Sequence, residues 1–338
     1  MIWIGDKKMS KKNSNIGWSI TFISLCTILG IAGIYLPFLY ILFPLIGIPL
    51  ILGIYKIENH WTWLVSIGIA FLIGLLGNSI SSVLLILLII LPTALSGWQI
   101  RQEESLPRVI IITGLAYFVG FFLFFFYMKW GQGVDIPSLY YSAVQKWEIW
   151  FLKVIEEQQA LLASNTRLAL DQDLLLQSYG IMRMATKEAA YQFQILFPSL
   201  FFIICIITSA IVVLISTLVI QAMGWKEINF TTLTKMKVSP GIPILLICTW
   251  LLGSIPTIAN QWILDTAISN LIFVFSILFF YLGVLLVIYI MSNSKMKMVF
   301  KILLGIMSVM WLFLSPSFFV FLGFFDGLFN MRKDKLES

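Results

Sequence analysis

Charge is the scarcest property of this chain: 11% of its 338 residues are Asp, Glu, Lys or Arg, while 60% are hydrophobic. Soluble domains carry about a quarter of their residues charged, so an ordinary soluble domain is excluded. Histidine occurs once, at His60 beside Trp61 and Trp63, which suits an interfacial anchor and leaves no His-based zinc site or Ser–His pairing. Cys26, Cys205 and Cys248 stand singly inside apolar runs. Their spacing indicates no metal site, disulfide framework or thiol nucleophile, and each is expected as a small buried hydrophobe. A Walker-type glycine loop and an intramembrane aspartate pair are both missing, and the apolar runs are nearly free of the charges that would mark a proton relay or ion site. The expectation is a protein that is not an enzyme, with no cofactor and no metal. Its net charge of +6 lies mostly beside apolar segments, and no basic groove with interleaved aromatics accompanies it. That charge reads as topology information, with membrane lipid and not nucleic acid as the partner.

What is present is a succession of apolar runs, each near the roughly 20 residues that a helix needs to cross a bilayer core. The predicted fold is all-α, a polytopic transmembrane helical bundle of eight or nine spans. Five spans fall near residues 16–35, 37–55, 61–77, 79–97 and 108–128, a sixth at 195–222, and two more at 241–257 and 267–291. Pro37, the Lys56, Glu58 and His60 group, Gly77 with Asn78, and GWQIRQEESLPR break the first half. The basic N-terminus leads into an apolar run without a small-residue cleavage site, so a retained first span is expected there. A last run, 299–329, contains Pro316; it makes either a ninth crossing or a bent, re-entrant pair of short legs.

One long stretch tolerates water, residues 129–194, and it divides an N-terminal membrane half, 1–128, from a C-terminal half, 195–338. It reads as a helical hairpin inserted between spans five and six. Asp135 before Pro137 is a cap for its first helix, and the short polar residues at 163–166 join it to the second. Leu139, Ala143, Trp147, Trp150, Val154 and Leu161 recur at helical spacing, an apolar face for the partner helix or for the membrane surface. Glu156, Glu157, Asp171 and Asp173 read as a solvated charged face.

Lys7, Lys8, Lys11 and Lys12 place the N-terminus in the cytoplasm by the positive-inside rule. Successive crossings then put Lys56, Arg101 with Arg108, Lys226 with Lys235 and Lys237, and Lys295 with Lys297 there too. The hairpin falls outside, where its six basic and seven acidic residues balance.

Polar residues at span ends are the candidates for recognition, because buried amides and hydroxyls must find partners. Asn78, Ser79, Ser81 and Ser82 form the candidate ligand-binding cluster. Asn260, Gln261, Asp265 and Asn270 form a second, with helix capping as the alternative for both. Cys26, Gly30 and Gly33 make a small-residue ridge that lets another helix approach. With Trp147 and Trp150 of the hairpin, they are the candidate partner interface.

The segments IYLPFLYILFPLIGIPLILGIYK, LSGWQIRQEESLPRVIIITGLAYFVGF, FYLGVLLVIYIM and FLGFFDGLFNMRK together resemble the YybS-like family of bacterial multi-pass membrane proteins. Gly323, Asp326 and Arg332 occupy that family's terminal glycine, aspartate and arginine pattern, with NMR where DFR is expected. The family's membrane core is similar to the substrate-binding S components of energy-coupling-factor transporters, which have six spans with both ends cytoplasmic. The resemblance implies a bacterial cell-membrane protein that binds a small molecule from outside and draws on separate energy-coupling transporter subunits. The competing expectation is an envelope scaffold whose external hairpin binds other envelope proteins.

Overall fold

The computed structural model describes residues 45–56, 79–164, 172–226, 238–255, 262–293 and 297–332, with 21, 24, 25, 28 and 236 besides. Regular structure among the described residues is helical: α1 (Gly47–Lys56), α2 (Ser79–Leu85), a π turn (Ile86–Ile90), α3 (Leu91–Arg101), α4 (Leu106–Gly131), α5 (Ile136–Ser164), α6 (Gln172–Ile195), α7 (Phe197–Ala222), α8 (Gly241–Gly253), α9 (Trp262–Asn293), α10 (Met298–Leu314) and α11 (Ser317–Phe329). Among the described residues four stretches are long and apolar enough to cross a membrane: Val83–Arg101, Leu106–Gly131, Phe197–Ala222 and Ile263–Ser292. The α10–α11 pair, bent by 114°, makes a fifth if it counts as one span. The α1 and α8 helices are shorter and apolar. The expected spans at 16–35 and 61–77 lie outside the described residues, apart from four single positions in the first, and the expected eight or nine crossings are not reached by the described helices.

The chain divides into two compact units. One comprises Met1–Tyr127, Phe201–Leu245 and Ser276–Ser338. In it α1 packs on α3 through small residues: Gly47 faces Thr93, and a Cβ at Gly97 would stand 3.1 Å from the Ile51 carbonyl oxygen. Losing side-chain bulk at a crossing lets two backbones approach within dispersion range, which is how helices associate where lipid offers no hydrophobic contrast. Ile51, Val109, Val212, Val213 and Ile220 are fully buried in one apolar cluster. Phe118 and Phe121 pack edge-on against Phe202 and Phe201 of α7, at 5.4 and 5.0 Å between ring centres. At one end Lys56 stands 4.6 Å from the Trp225 ring centre, Tyr55 stacks on that ring, and Lys226 pairs with Glu103 at 3.0 Å. Three loop ends that the Lys and Arg distribution assigns to one side of the membrane therefore meet.

Farther along the same unit, α9 and α11 cross where Gly283 meets the Phe319 carbonyl and Gly323 meets the Phe279 carbonyl, contacts that leave no room for a Cβ. Pro316 lies between α10 and α11, and the chain bends there as the sequence suggested. None of the α10 residues is buried.

The second unit comprises Met128–Leu200 and Leu246–Phe275, and the hairpin α5–α6 is its main feature. The expected cap is present: the Ser138 amide donates to Asp135 Oδ1 at 3.4 Å, and Lys129 holds the other oxygen at 3.0 Å. The α5 surface that meets α6 includes only part of the apolar stripe. Ile155 is buried, with Tyr179, Thr186 and Ala190 of α6, while Arg183 donates to Gln159 at 2.9 Å and Tyr140 donates to the Phe193 carbonyl at 3.0 Å. Leu139, Trp150 and Leu161 are exposed. The apolar stripe is therefore divided: Trp147 stands edge-on to Phe193 of α6, 6.0 Å between ring centres, while these three form an outward face.

Candidate functional site

A layer of neutral polar side chains inside the first unit is built around Pro92. Proline has no N–H and its ring clashes with the carbonyl four residues earlier, so an α-helix running through it must open. Here the helix widens into the π turn Ile86–Ile90 immediately before it. Gly120 of α4 lies against the Leu87 carbonyl of that turn, closer than any side chain would allow. Single π turns inside helices concentrate at functional sites.

One turn beyond, Thr93, Ser96 and Thr113 are completely buried and Gln99 nearly so. Thr93 donates back to the Ile89 carbonyl, which keeps its hydroxyl within its own helix. Ser96 donates to the Pro92 carbonyl at 3.1 Å, and its oxygen lies 2.7 Å from the Thr113 hydroxyl, which joins α3 to α4. On the next helix Ser209, also fully buried, donates to the Ile110 carbonyl at 2.7 Å, so the polar layer extends from α3 through α4 to α7.

Two oxygens in this layer have no partner. Gln99 Oε1 and the Tyr117 hydroxyl are buried without a hydrogen bond. At about 1.5 Å of rise per residue, they flank the Ser96–Thr113 contact from opposite sides, roughly 10 Å apart along the helices. A buried polar group without a partner costs about 1–3 kcal/mol. The layer can accept a hydrogen bond at Gln99 and both give and accept one at Tyr117. Its side chains are neutral hydroxyls, a phenol and an amide. Among the described residues no three His, Cys, Asp or Glu side chains gather as metal ligands.

A second buried polar feature lies at the end of α11. Arg332 Nε donates to Asp326 Oδ2 at 2.8 Å, and a guanidinium terminal nitrogen approaches the same oxygen at 2.5 Å. Both side chains are buried and Asp326 Oδ1 has no hydrogen-bond partner. In runs expected to be nearly free of ionisable residues, this pair is an exception. Asp326 belongs to such a run, and it is neutralised by an arginine six residues on that only a turn can bring back.

Of the candidate ligand cluster, Asn78 lies outside the described residues. Ser79, Ser81 and Ser82 are on α2, their side chains undescribed, about 21 Å along the helix from Ser96 to Ser82. The hydroxyls that meet in the interior are therefore others on the same span. Asn260 and Gln261 also lie outside. Asn270 is committed to structure: it accepts from the Ser199 amide at 3.0 Å and donates to the Ile195 and Thr266 carbonyls at 2.9 and 2.7 Å, tying the start of α7 to α9. Asp265 sits in the first turn of α9. Cys26, Gly30 and Gly33 of the proposed ridge lie outside the described residues. Trp147 and Trp150 are 37% and 59% exposed, the former edge-on to Phe193 at 6.0 Å. Cys205 is buried as expected, but Cys248 is exposed, since it falls on an outward face of α8. Glu156 and Glu157 are exposed, within 3.8 Å of Arg183 and Lys153.

Sequence reasoning passed over Thr93, Ser96, Gln99, Thr113 and Tyr117, because isolated hydroxyls and one amide barely lower the hydropathy of a span. Pro92 was the available signal, as a proline inside an apolar helix points to a local opening. No curated protein and no solved structure matches the chain. Its residues 24–327 match the family model described as "Predicted membrane protein (DUF2232)", and the all-helical architecture with several spanning helices agrees: the chain belongs to the DUF2232 family of membrane proteins.

Proposed function

We propose that this protein is a small-molecule-binding membrane subunit, similar in role to the S components of energy-coupling-factor transporters, which takes its energy from a separate membrane partner. The observation that carries the proposal is the pair of unpartnered buried oxygens, Gln99 Oε1 and Tyr117 Oη, on either side of the Ser96–Thr113 contact. A neutral, hydrogen-bonding site inside an apolar bundle suits an apolar or weakly polar molecule that carries a hydroxyl or amide. In this reading the N-terminus is cytoplasmic, six spans up to residue 222 form the binding core, and the 129–194 hairpin is an external insertion. Asn78 and the α2 serines lie toward the entry side, and the Cys26, Gly30 and Gly33 ridge meets the partner.

The test is thermal stabilisation of the purified full-length protein by a vitamin and metabolite panel, together with identification of the membrane proteins that co-purify with it. Stabilisation by a member of the panel and recovery of energy-coupling subunits support the proposal. Stabilisation by none, with no such subunits, overturns it. Gly30→Leu then separates the two surfaces: partner recovery falls while ligand stabilisation stays.

A second reading rests on the hairpin. Leu139, Trp150 and Leu161 of its apolar stripe, with Ile149 beside them, are exposed, which suits an envelope scaffold that binds another protein through α5. Loss of every co-purifying protein on deleting the hairpin, with ligand stabilisation absent throughout, favours this reading.

A further inference from the structure

The helix α10 shows an electrostatic pattern that is unfavourable as it stands. Its N-cap is Lys297, no side chain caps it, and its first turn holds no acidic residue. Lys301 lies one turn further, its amide bonded to the Lys297 carbonyl at 3.3 Å. Like charges one turn apart repel, and both sit at the end where the helix dipole already disfavours cations. Among the described residues neither ammonium has an ion-pair partner. An anion placed there relieves all three terms at once.

The same helix face continues as an apolar groove of about 560 Å³. Lys301, Ile302, Gly305, Ile306 and Val309 line it along α10, with Met291 of α9 across from them. Gly305 opens its middle, where a Cβ would come within 3.4 Å of the Met291 methyl. From Met298 to Met310 the groove runs about 18 Å at 1.5 Å per residue. One leaflet of the hydrocarbon core is about 15 Å deep, so the groove has the length of a single acyl chain, and a lipid with its chain along it would carry its headgroup to the two lysines.

We propose that this groove is a binding site for an anionic glycerophospholipid, with the phosphate at Lys297 and Lys301 and one acyl chain along Ile302, Gly305, Ile306 and Val309. Charge complementarity distinguishes this from general lipid contact. A zwitterionic lipid brings its own cation to a site that already holds two, whereas phosphatidylglycerol does not. A free phosphate fills the cationic end but leaves the groove empty. The site is separate from the α3–α4 polar layer and does not depend on the binding-subunit proposal.

The experiment is native mass spectrometry of the full-length protein after release from nanodiscs of equal phosphatidylglycerol and phosphatidylcholine. Wild type is expected to retain phosphatidylglycerol preferentially. The double variant Lys297→Gln/Lys301→Gln, which changes only surface groups, is expected to lose about thirtyfold in that preference, as two lysines imply at the usual attraction of each to an anionic surface. Gly305→Phe fills the groove and is expected to abolish retention of both lipids, and glycerol phosphate added in solution is expected not to compete. Equal retention of the two lipids by wild type, an undiminished preference in the double variant, or displacement by glycerol phosphate overturns the proposal.

Discussion

Arg332 donates to Asp326 from inside the protein, at 2.8 Å and with both side chains almost wholly buried. Six residues separate them in sequence. The contact exists because α11 ends at Asn330 in a left-handed conformation, φ 48°, which reverses the chain and returns Arg332 onto the helix it has just left. The α9–α11 crossing at Gly283 and Gly323 lies one turn below, so the same end of α11 is held by a backbone contact and by an ion pair.

Breaking that pair from one side leaves an uncompensated buried charge, at a cost of about 3–5 kcal/mol, whereas replacing both partners with apolar groups is close to neutral. Arg332→Leu and Asp326→Leu are each expected to lower the unfolding midpoint strongly in detergent, and the double variant to recover most of the loss. Equal destabilisation by all three would show that the two side chains do not act as a pair.

Glycines divide into two kinds with opposite expected outcomes. A Cβ at Gly323 meets the Phe279 carbonyl and the Gly283 amide, both backbone atoms that cannot yield, so Gly323→Ala is expected to cost about 1–3 kcal/mol by overpacking. Gly180 of α6 has nothing within 4 Å of its missing Cβ. There Gly180→Ala is expected to stabilise the hairpin by about 0.5–1 kcal/mol, the helix-interior penalty of glycine. Unfolding of the two variants beside wild type measures both signs.

Much of this architecture is legible in the sequence because it depends on length and local chemistry. The apolar runs at 108–128, 195–222 and 267–291 became α4, α7 and α9, with ends shifted by a few residues. Asp135 caps α5, and the chain bends at Pro316. What stayed hidden depends on which faces meet. The α5 helix carries apolar residues over a broad arc, and only the α6 surface, with Tyr179, Thr186, Ala190 and Phe193, selects Ile155 and Trp147 from it. Ser96 and Thr113 are unremarkable until the α3–α4 register brings their oxygens to 2.7 Å. Arg332 reads as a loop cation until the turn at Asn330 is known.

The start of the hairpin is expected to respond to acid. The hydrogen bond from Lys129 holds the Asp135 carboxyl below its ordinary value, assisted by the Ser138 amide and opposed by slight desolvation. A lowered folded pKa means that the contribution is complete above the unfolded value of about 3.9 and disappears as pH falls through the lower folded value. The pair is solvent-exposed, so the effect is local. Amide exchange at Ser138 and Leu139 is expected to be flat from neutral pH to about 5, after correction for intrinsic rates, and to rise below 4. Asp135→Asn removes that dependence, and a step at a higher pH would assign it to another group.

The positive-inside distribution predicts sidedness. In a background lacking Cys26, Cys205 and Cys248, a cysteine at Ser164 is expected to react with an impermeant thiol reagent on intact cells, and one at Thr232 only after lysis. Labelling of Thr232 alone inverts the topology, and equal labelling of both removes it.

The α3–α4 polar layer permits a test in which the sign of the effect carries the information. Thr113→Val removes one side of the Ser96 contact and leaves a buried hydroxyl with fewer partners, so it is expected to destabilise by about 1–3 kcal/mol. Tyr117→Phe removes a buried hydroxyl that has no partner at all. If nothing occupies the site, that substitution loses no hydrogen bond and is expected to leave the free protein as stable as wild type or more stable. If the hydroxyl serves a ligand, the same variant loses its response to that ligand while the free protein keeps its stability. Thermal unfolding with and without the stabilising compound separates these outcomes. A Tyr117→Phe protein that is strongly destabilised on its own would mean that the hydroxyl is satisfied in the membrane by a neighbouring group, and the layer would then be a structural tie between α3, α4 and α7 and not a binding site.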